Sequence, residues 1–485
     1  MSTKQNLDCL FNPRSVAVIG ASSFLGKWGY NLLSRLISTR SGRQIYAIND
    51  REDEVLGLKA YNNILDVPEQ VDMATITVPH KHLPEVMRDC ARKGVKVAIV
   101  ISSGLAECGA EGAKLEQELV EIARLGGVRL VGPNCLGHFD TYSRICTLGF
   151  SPPVRKGNVA LISQSGNSGQ SVLNYGFQTG LGFSKFISSG NEADLHFEDY
   201  LEYLADDDKT SVILGYVEGL REGRRFIDLA RDITKKKPIV IMKTGRTDVG
   251  SRAARSHSAA LAGSDAIFDA ALGQCGIIRV DRIEELVDVA VALLGQPLPR
   301  GKRVAVLSMG GGMAVTAADA LRMEGLELPS LSPATMDKLD SILSSRWSRG
   351  NPVDPAGDFV SYHCLWPMIE DENTDAVLAV GAVGMGAGFP GWAPNSMKRD
   401  VSRMRKYMEN AELENVEKTL QLMDQWRKPV ILTAGVTGTG GNGRVPKRLN
   451  RSHRNLYPGP ETGAKVLARL VEYSEYLRNT PEERG

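Results

Sequence analysis

Short apolar segments recur along this chain, and each is followed by a stretch with the periodicity of an amphipathic helix. Strands that alternate with helices in this way predict parallel sheets joined by right-handed crossovers. We therefore expect an α/β fold. The predicted strands are Ser15–Ile19, Gln44–Ile48, Met73–Val78, Val97–Ile101, Arg129–Val131, Val159–Ile162, Ser184–Ile187, Val212–Tyr216, Ile239–Met242, Val304–Leu307, Ala376–Val380 and Val430–Thr433.

A chain of 485 residues is too long for a single hydrophobic core. Proline and glycine cluster in SPPVRKGN (Ser151–Asn158) and in GQPLPRGKR (Gly295–Arg303), as they do in linkers. We predict a Rossmann-like domain over residues 1–150, a flavodoxin-like domain over 151–298 and a second flavodoxin-like domain over 299–485.

The second and third predicted domains resemble each other in sequence. NVALISQSGNSGQSVLN, from Asn158, matches RVAVLSMGGGMAVTAADAL, from Arg303, in its strand, glycine turn and helix. Likewise KKPIVIMKTG, from Lys236, matches RKPVILTAG, from Arg427. The third domain is longer between these marks and includes a charged helical stretch at Met397–Arg427. Two doubly wound domains of the flavodoxin type are therefore predicted.

The bulk composition removes several classes of function. A net charge of +1 argues against a nucleic-acid-binding protein, which would carry a basic excess. No run approaches 18 uninterrupted apolar residues and the N-terminus has no long apolar region, so neither a membrane span nor secretion is expected. Seven cysteines without CxxC spacing indicate reduced thiols, and hence a cytoplasmic protein.

The first predicted domain opens with a strand and a glycine turn, VAVIGASSFLGKWG (Val16–Gly29). Glycine at such a turn lets the backbone approach a pyrophosphate. The spacing is not GxGxxG, so the NAD fingerprint is imperfect, and a tight turn without a ligand is the alternative. Lys27, at the predicted helix start, is either a phosphate-binding charge or a solvated lysine.

Three further strand ends in this domain are polar: Thr77–His82, Ile101–Glu107 and Val131–Gly137. Open α/β sheets bind ligands at the carboxyl ends of their strands, so all three are expected to face the same crevice as Gly20. His80, His82 and Cys135 suggest metal ligands, but no fourth ligand has a suitable spacing, and no metal is predicted.

Two segments of the second domain suggest phosphoryl chemistry. KTGRTDVGSRAARSHSAALAGSD (Lys243–Asp265) carries His257 among small residues and arginines, which is typical of a mobile loop. Upstream, the strand in Asn158–Gln170 runs into a glycine-rich helix start, and such N-termini hold anions. We infer a histidine that is phosphorylated and then held against backbone amides. The alternative for His257 is an ordinary surface histidine.

Together these motifs resemble a known family. GAS…GKWG, VPHKH, SSGLAE, GPNCLG, SQSGNSG, SSGNEAD, EGLREGRRF, SHSAALAGSD and NPVDPAGD occur in the order found in the α part of NDP-forming acyl-CoA synthetases of the ADP-forming acetyl-CoA synthetase type. These enzymes are relatives of succinyl-CoA synthetase. The resemblance covers nearly the whole chain and implies that the first domain binds CoA rather than NAD.

The resemblance also implies site residues. His257 corresponds to the transiently phosphorylated histidine and Glu218 to the carboxylate that holds its imidazole, although Glu218 is alternatively a solvated acid or a partner of Arg221, Arg224 or Arg225. The implied CoA residues are Gly20, Ala21, Ser22, Val78, Pro79, Ser102, Ser103, Asn134 and Cys135, with Lys27 added from the argument above. The implied phosphate site comprises Ser165, Gly166, Asn167, Ser168, Gly190 and Asn191.

The implied reaction interconverts acid, CoA and NTP with acyl-CoA, NDP and phosphate. No part of the chain reads as an ATP-grasp domain, so an ATP-grasp β subunit is expected, in an α2β2 assembly that binds ATP/ADP or GTP/GDP with Mg²⁺ on the partner. Two departures are SHSA in place of the common SHTG, and Asn49-Asp50-Arg51 where the family often has Asn-Pro and a basic residue. The alternatives are a non-catalytic CoA-binding regulatory protein and an NAD-binding oxidoreductase.

Overall fold

A computed structural model of the chain describes residues 3–39, 41–247, 249–250, 265–356, 361–383, 398–434 and 443–480. The chain divides into two compact units, Met1–Leu286 and Val287–Gly485. The first unit contains two seven-stranded sheets and the second contains a four-stranded sheet. The predicted α/β class is therefore confirmed.

The first sheet has the order β3-β4-β2-β1-β5-β6-β7, and all its pairings except β3 with β4 are parallel. From β4 to β7 this is the strand order of a Rossmann fold, with the direction of winding changing between β1 and β5. Every residue of β1 is buried, as expected for a strand covered by helices on both faces. The strands are β1 (Ser15–Ile19), β2 (Gln44–Ile48), β3 (Glu54–Val55), β4 (Leu58–Tyr61), β5 (Met73–Ile76), β6 (Val97–Val100) and β7 (Arg129–Val131).

The second sheet has the order β14-β13-β12-β10-β11-β8-β9. Strands β10 to β14 are parallel and follow the flavodoxin order, whereas β8 and β9 add an antiparallel edge. This edge comes from residues 137–146, so the segment before the predicted boundary at residue 150 pairs with the second sheet. The strands are β8 (Gly137–Asp140), β9 (Ile145–Cys146), β10 (Arg155–Ser163), β11 (Gly182–Ser188), β12 (Val212–Val217), β13 (Ile239–Lys243) and β14 (Ile278–Val280).

The third sheet repeats the arrangement of the second. Its four parallel strands have the order β15-β16-β17-β18, and an isolated parallel bridge from Leu307 to Val353 takes the place of a further strand beside β15. The turns after the first strands also match, since Ser163 Oγ donates to the carbonyl of Ser165 and Ser308 Oγ to that of Gly310. The strands are β15 (Val304–Ser308), β16 (Ala376–Val380), β17 (Val430–Thr433) and β18 (Leu456–Tyr457).

Helices cover the sheets. In the helix Trp28–Ser38, Leu32, Leu33 and Leu36 are fully buried, and each such leucine contributes about 1.5–3 kcal/mol of burial. In the described residues the helices are α1 (Thr3–Phe11), α2 (Trp28–Ser38), α3 (Leu83–Lys93), α4 (Ala110–Leu125), α5 (Gly166–Thr179), α6 (Phe197–Ala205), α7 (Gly223–Thr234), α8 (Asp265–Gln274), α9 (Ile283–Gly295), α10 (Gly311–Met323), α11 (Pro333–Ile342), α12 (Ser361–Glu370), α13 (Lys398–Trp426), α14 (Arg444–Arg451) and α15 (Pro460–Asn479).

Candidate functional site

The turn after β1 packs the start of α2 against the end of β5. Gly20 has a φ of +87°, and a Cβ on it would lie 2.7 Å from Oγ1 of Thr77. A Cβ on Gly29, the second residue of α2, would lie 1.9 Å from the carbonyl oxygen of Gly20. Both positions therefore require glycine. This turn lies between β1 and β5, at the switch point where doubly wound folds bind their ligands.

The residues predicted to approach the CoA phosphates shape this turn. The N–H groups of Gly20 and Ala21 both donate to the carbonyl oxygen of Ile48, at 3.1 and 3.2 Å. Ser22 is buried, and its Oγ accepts the N–H of Phe24 at 3.2 Å. The amides of Gly20 and Ala21 are thus occupied by the sheet, and a CoA contact through them stays a prediction.

Lys27 immediately precedes α2 and is exposed. Its Nζ lies 4.8 Å from the centroid of the Phe24 ring, and Phe24 and Leu25 beside it are 66% and 83% exposed. Among the described residues Lys27 has no carboxylate partner. Its charge is therefore available to an anion at the mouth of the crevice.

The other predicted strand ends lie together at the same edge of the first sheet. Ser102 Oγ donates to the carbonyl of Val78 at 2.5 Å, and the N–H of Asn134 donates to the carbonyl of Ser102 at 3.1 Å. Val78 is half-buried, and Pro79 and Ser103 are exposed. The structure brings these residues together as the strand-end argument expected, and their contact with CoA remains a prediction.

Cys135, one of the predicted CoA-binding residues, is buried, and its Sγ donates to the carbonyl of Val100 at 3.4 Å. Burial raises the pKa of Cys135 to about 12, so its thiol is neutral at pH 7 and is a poor nucleophile. In the part of the chain that the structure describes, no three His, Cys, Asp or Glu side chains are placed to hold a metal ion.

The loop that follows β11 joins the two sheets of the first unit. Gly190, with a φ of +60°, approaches the Gly132–Asn134 turn so closely that a Cβ on it would lie 2.2 Å from the carbonyl of Pro133. Asn191 Nδ2 donates to Glu107 at 2.6 Å and to Glu116 at 2.8 Å. Both amide hydrogens of Asn191 are thus engaged by carboxylates, so its predicted role in binding phosphate lacks a free donor. That role stays a prediction.

The helix α5 starts with unoccupied backbone donors. Ser165 is its N-cap and accepts the N–H of Ser168 at 3.4 Å, and the first turn contains no acidic residue. The N–H groups of Gly166 and Asn167 have no acceptor within the described residues. A Cβ on Gly166 would meet Leu136 at 2.5 Å, so this end of the helix is closely packed. The dipole and the free amides make it suited to a phosphoryl group.

Glu218 follows β12, the strand next to β10, and is half-buried. Its N–H donates to Oε1 of Gln164 at 2.5 Å. Val217 pairs with Lys243 of the neighbouring strand β13, and the N–H of Thr244 donates to the carbonyl of Val217 at 3.0 Å, so Glu218 lies near the start of the segment that carries His257. Burial lowers the pKa of Lys243, while the negative charges of Asp265 and Glu218 act in the opposite direction.

The arginine alternative for Glu218 is only partly tested. Arg225 pairs with Asp199, Glu202 and Glu222, and Arg224 with Asp228. Arg221 donates to the carbonyl of Asn191 at 3.0 Å. His257 lies outside the described residues, so its distance from Glu218 is not part of this structure.

Sequence reasoning missed two polar residues beside this site, the half-buried Gln164 and the buried Glu192. Gln164 lies between the two serines of the turn, and its side chain contacts Glu192 as well as the Glu218 backbone. Glu192 is 2% exposed, and burial raises its pKa to about 8. The motifs SQSG and SSGNEAD contain both residues, but nothing in their spacing shows that they meet.

Comparison with known proteins supports the same interpretation for both domains of the first unit. A sequence profile described as a CoA binding domain matches residues 14–139, and one described as a succinyl-CoA ligase like flavodoxin domain matches residues 156–293. The fold and the matched domains therefore define an acid–thiol ligase that binds CoA, rather than an NAD-linked oxidoreductase.

Two relatives and one solved protein make this more specific. The α subunit of acetate–CoA ligase [ADP-forming] II from Pyrococcus furiosus is 41% identical to this chain, over 84% of this chain and 88% of the relative. The α subunit of acetate–CoA ligase [ADP-forming] I from the same organism is 37% identical, over 99% of this chain and 100% of the relative. The dinucleotide forming acetyl-coenzyme A synthetase 1 of Ca. Korarchaeum cryptofilum, solved in apo form and with phosphate and ADP, has a TM-score of 0.82 in both structures. The two chains are 33–34% identical in sequence, and the match covers 97% of this chain and 97–99% of the solved chain. This chain belongs to the family of ADP-forming acetate–CoA ligase α subunits.

Among the described residues, no helix combines the length and the apolar character that a membrane crossing requires.

Proposed function

We propose that this chain carries the acyl and phosphohistidine steps of the ligase and leaves the nucleotide step to a partner. In the direction of NTP synthesis, phosphate attacks the thioester carbonyl of acyl-CoA, which yields an acyl phosphate and releases CoA as the thiol. A nitrogen of His257 then attacks the phosphorus, and the free acid leaves. The partner transfers the phosphoryl group to NDP, which regenerates the imidazole.

The observation that carries this proposal is the pairing of a helix N-terminus with a carboxylate at neighbouring strand ends. The free N–H groups at Gly166 and Asn167 complement phosphoryl oxygens. The Glu218 carboxylate fixes the tautomer of a histidine and stabilises the imidazolium that forms as it is phosphorylated. The loop with His257 starts near Glu218, because Val217 pairs with Lys243 in the neighbouring strands β12 and β13.

The crevice of the first sheet is proposed to hold CoA. The glycine turn at Gly20 lies at the switch point of this sheet, with Lys27 at the start of the next helix. The grouped residues Val78, Ser102 and Asn134 follow β5, β6 and β7 at the same edge. Lys27 is suited to a CoA phosphate, because no carboxylate among the described residues neutralises it. Cys135 remains a protonated wall residue and takes no part in acyl transfer.

The partner is proposed to be an ATP-grasp β subunit that binds ATP/ADP or GTP/GDP with Mg²⁺, in an α2β2 assembly. Family membership as an α subunit supports the need for a partner. We propose acetate or another small carboxylic acid as the acyl group, by analogy with the names of these relatives. The seven cysteines all lie in the described part of the chain and form no disulfide, which supports a reducing, cytoplasmic location.

The test is transfer of a phosphoryl label without nucleotide. The chain and its partner are incubated with radioactive phosphate and acetyl-CoA, and then with short-chain, branched and aryl acyl-CoAs. We expect a protein-bound label that is lost in acid and stable in base, as a phosphoramidate is, and that maps to His257. His257→Ala should remove the label and leave CoA affinity unchanged, because CoA is held by a different domain. Failure of every acyl-CoA that supports turnover to give an acid-labile label on His257 would contradict the mechanism.

A further inference from the structure

The side chain of Gln164 connects both halves of the proposed phosphoryl site. Its backbone lies in the turn that starts α5, and its N–H donates to the carbonyl of Tyr216 at 3.1 Å. Its Oε1 accepts the N–H of Glu218 at 2.5 Å and that of Gly219 at 3.1 Å. Its Nε2 donates to the carbonyl of Gly219 at 2.7 Å and to Oε2 of Glu192 at 2.8 Å. Both donors and both acceptor positions of the amide are therefore used.

Glu192 is built to hold this amide in place. It is 2% exposed and adopts a φ of +53°, which is unusual for a residue other than glycine. Its other oxygen, Oε1, lies 2.7 Å from Oγ of Ser189. The charged groups that face it are Glu198 from α6 and Arg221 from the loop after β12. A buried carboxyl with two side-chain partners fixes the direction in which the Gln164 amide points.

We propose that Gln164 is a positioning residue whose amide, anchored by Glu192, sets the distance between the Glu218 carboxylate and the N-terminus of α5. This inference rests on the proposed function, because it assigns Glu218 and that N-terminus to the same phosphohistidine. The histidine must meet a carboxylate on one nitrogen and deliver a phosphoryl group to the helix from the other. A fixed spacing between these two groups is what Gln164 supplies.

The chemistry at this position favours glutamine. Leucine would fill the same space but would leave the N–H groups of Glu218 and Gly219 without an acceptor. Glutamate would keep the acceptor, lose both donors and place a second carboxyl group against Glu192. An exchange of the two residues, Gln164→Glu with Glu192→Gln, restores the contact with reversed polarity, because the amide introduced at position 192 then donates to the carboxylate introduced at position 164.

The experiment measures the rate of acid-labile labelling of His257 in the reconstituted enzyme, without nucleotide, together with CoA affinity and melting temperature. Gln164→Leu and Gln164→Glu are expected to slow labelling roughly 10²-fold, as for misplacement of a reacting group by about 1 Å. CoA affinity should stay within twofold of wild type. The double exchange should recover at least roughly 10-fold of the rate lost in Gln164→Glu, as coupled neighbours do. Gln178→Glu, at the exposed far end of α5, is the matched control.

Two results would overturn the inference. One is a labelling rate for both single variants within twofold of wild type. The other is a double exchange no faster than Gln164→Glu, which would show that the two residues do not act as a pair. If Gln164→Leu fails to fold, the comparison of Gln164→Glu with the double exchange still decides. Absence of label on His257 in the wild-type enzyme would instead refute the proposed function, so the two failures are distinguishable.

Discussion

Replacing Gly29 with alanine is expected to disrupt the CoA crevice from a position that need not touch CoA. A Cβ at this position would lie 1.9 Å from the carbonyl oxygen of Gly20 and 3.1 Å from Cα of Ala21. Gly20 cannot move away, since its N–H donates to Ile48 and its carbonyl accepts Oγ1 of Thr77. The start of α2 must therefore retreat by about 1.5 Å, from 1.9 to 3.4 Å, to reach an ordinary contact distance.

This displacement has a predicted magnitude and a direct assay. Overpacking of this kind costs about 1–3 kcal/mol, and the same cost on the CoA-bound turn corresponds to a roughly 5- to 100-fold change in a dissociation constant. We expect Gly29→Ala to raise the Kd for CoA by that factor in calorimetric titration. Gly273→Ala is the control, because nothing lies within 4 Å of a Cβ there and the residue is helical. Wild-type CoA affinity in Gly29→Ala would refute the link between helix approach and crevice shape.

Two further predictions concern the phosphoryl site. Glu218→Gln should slow labelling of His257 by roughly 10²–10⁴, because the imidazolium loses its charged partner; a rate within twofold of wild type would make Glu218 an ordinary surface acid. Burial raises the pKa of Glu192 from 4.5 to about 8. Between these two pH values the folded chain keeps a proton that the unfolded chain releases, so the free energy of unfolding falls as pH rises from about 4.5 to about 8. Glu192→Gln removes this dependence, so its melting temperature should rise relative to wild type between pH 5 and pH 8; a difference that does not vary with pH would contradict the assignment.

The strands that could be predicted from the sequence are those buried on both faces of a sheet. All twelve predicted apolar segments contain strands, because central parallel strands are covered on both faces and read as continuous apolar runs. The antiparallel edge β8 was missed because its sequence, GHFD, is polar. His138 is nevertheless fully buried, with Nε2 2.7 Å from the carbonyl of Leu10 and Nδ1 2.8 Å from Oγ1 of Thr147. Burial lowers the pKa of His138 to about 4, so it is a neutral core residue, and only the tertiary structure supplies its partners.

The site residues were predictable as motifs but not as contacts. The resemblance to the family placed Asn191 among the predicted phosphate-binding residues. In the structure its side-chain amide donates hydrogen bonds to Glu107 and Glu116, which lie far away in the sequence. The contact between Gln164 and Glu192 likewise depends on β10 and β11 being neighbours in the sheet. Spacing along the chain carries no information on such pairs, because the sheet order decides which strand ends meet.

In the second unit, one side chain takes the place of a backbone peptide. Asn351 Oδ1 accepts the N–H of Val306 at 2.9 Å. Its Nδ2 donates to the carbonyls of Val304 at 2.9 Å and Pro329 at 3.0 Å. The amide thus extends the edge of β15 beside the Leu307–Val353 bridge. The NPVDP motif therefore has a structural explanation within the unit Val287–Gly485.

Asn351→Asp tests this explanation, because aspartate keeps the acceptor but loses both donors and sets a negative charge against two carbonyl oxygens. Each buried polar group left unpaired costs about 1–3 kcal/mol. We expect faster hydrogen exchange in Val304–Ser308 and a lower melting temperature for the second unit, with CoA affinity unchanged because CoA is assigned to the other unit. Asn415→Asp, half-buried in α13 and without a side-chain hydrogen bond among the described residues, should change neither quantity. If exchange at β15 is as slow in Asn351→Asp as in wild type, the amide does not hold this edge, and the motif needs another explanation.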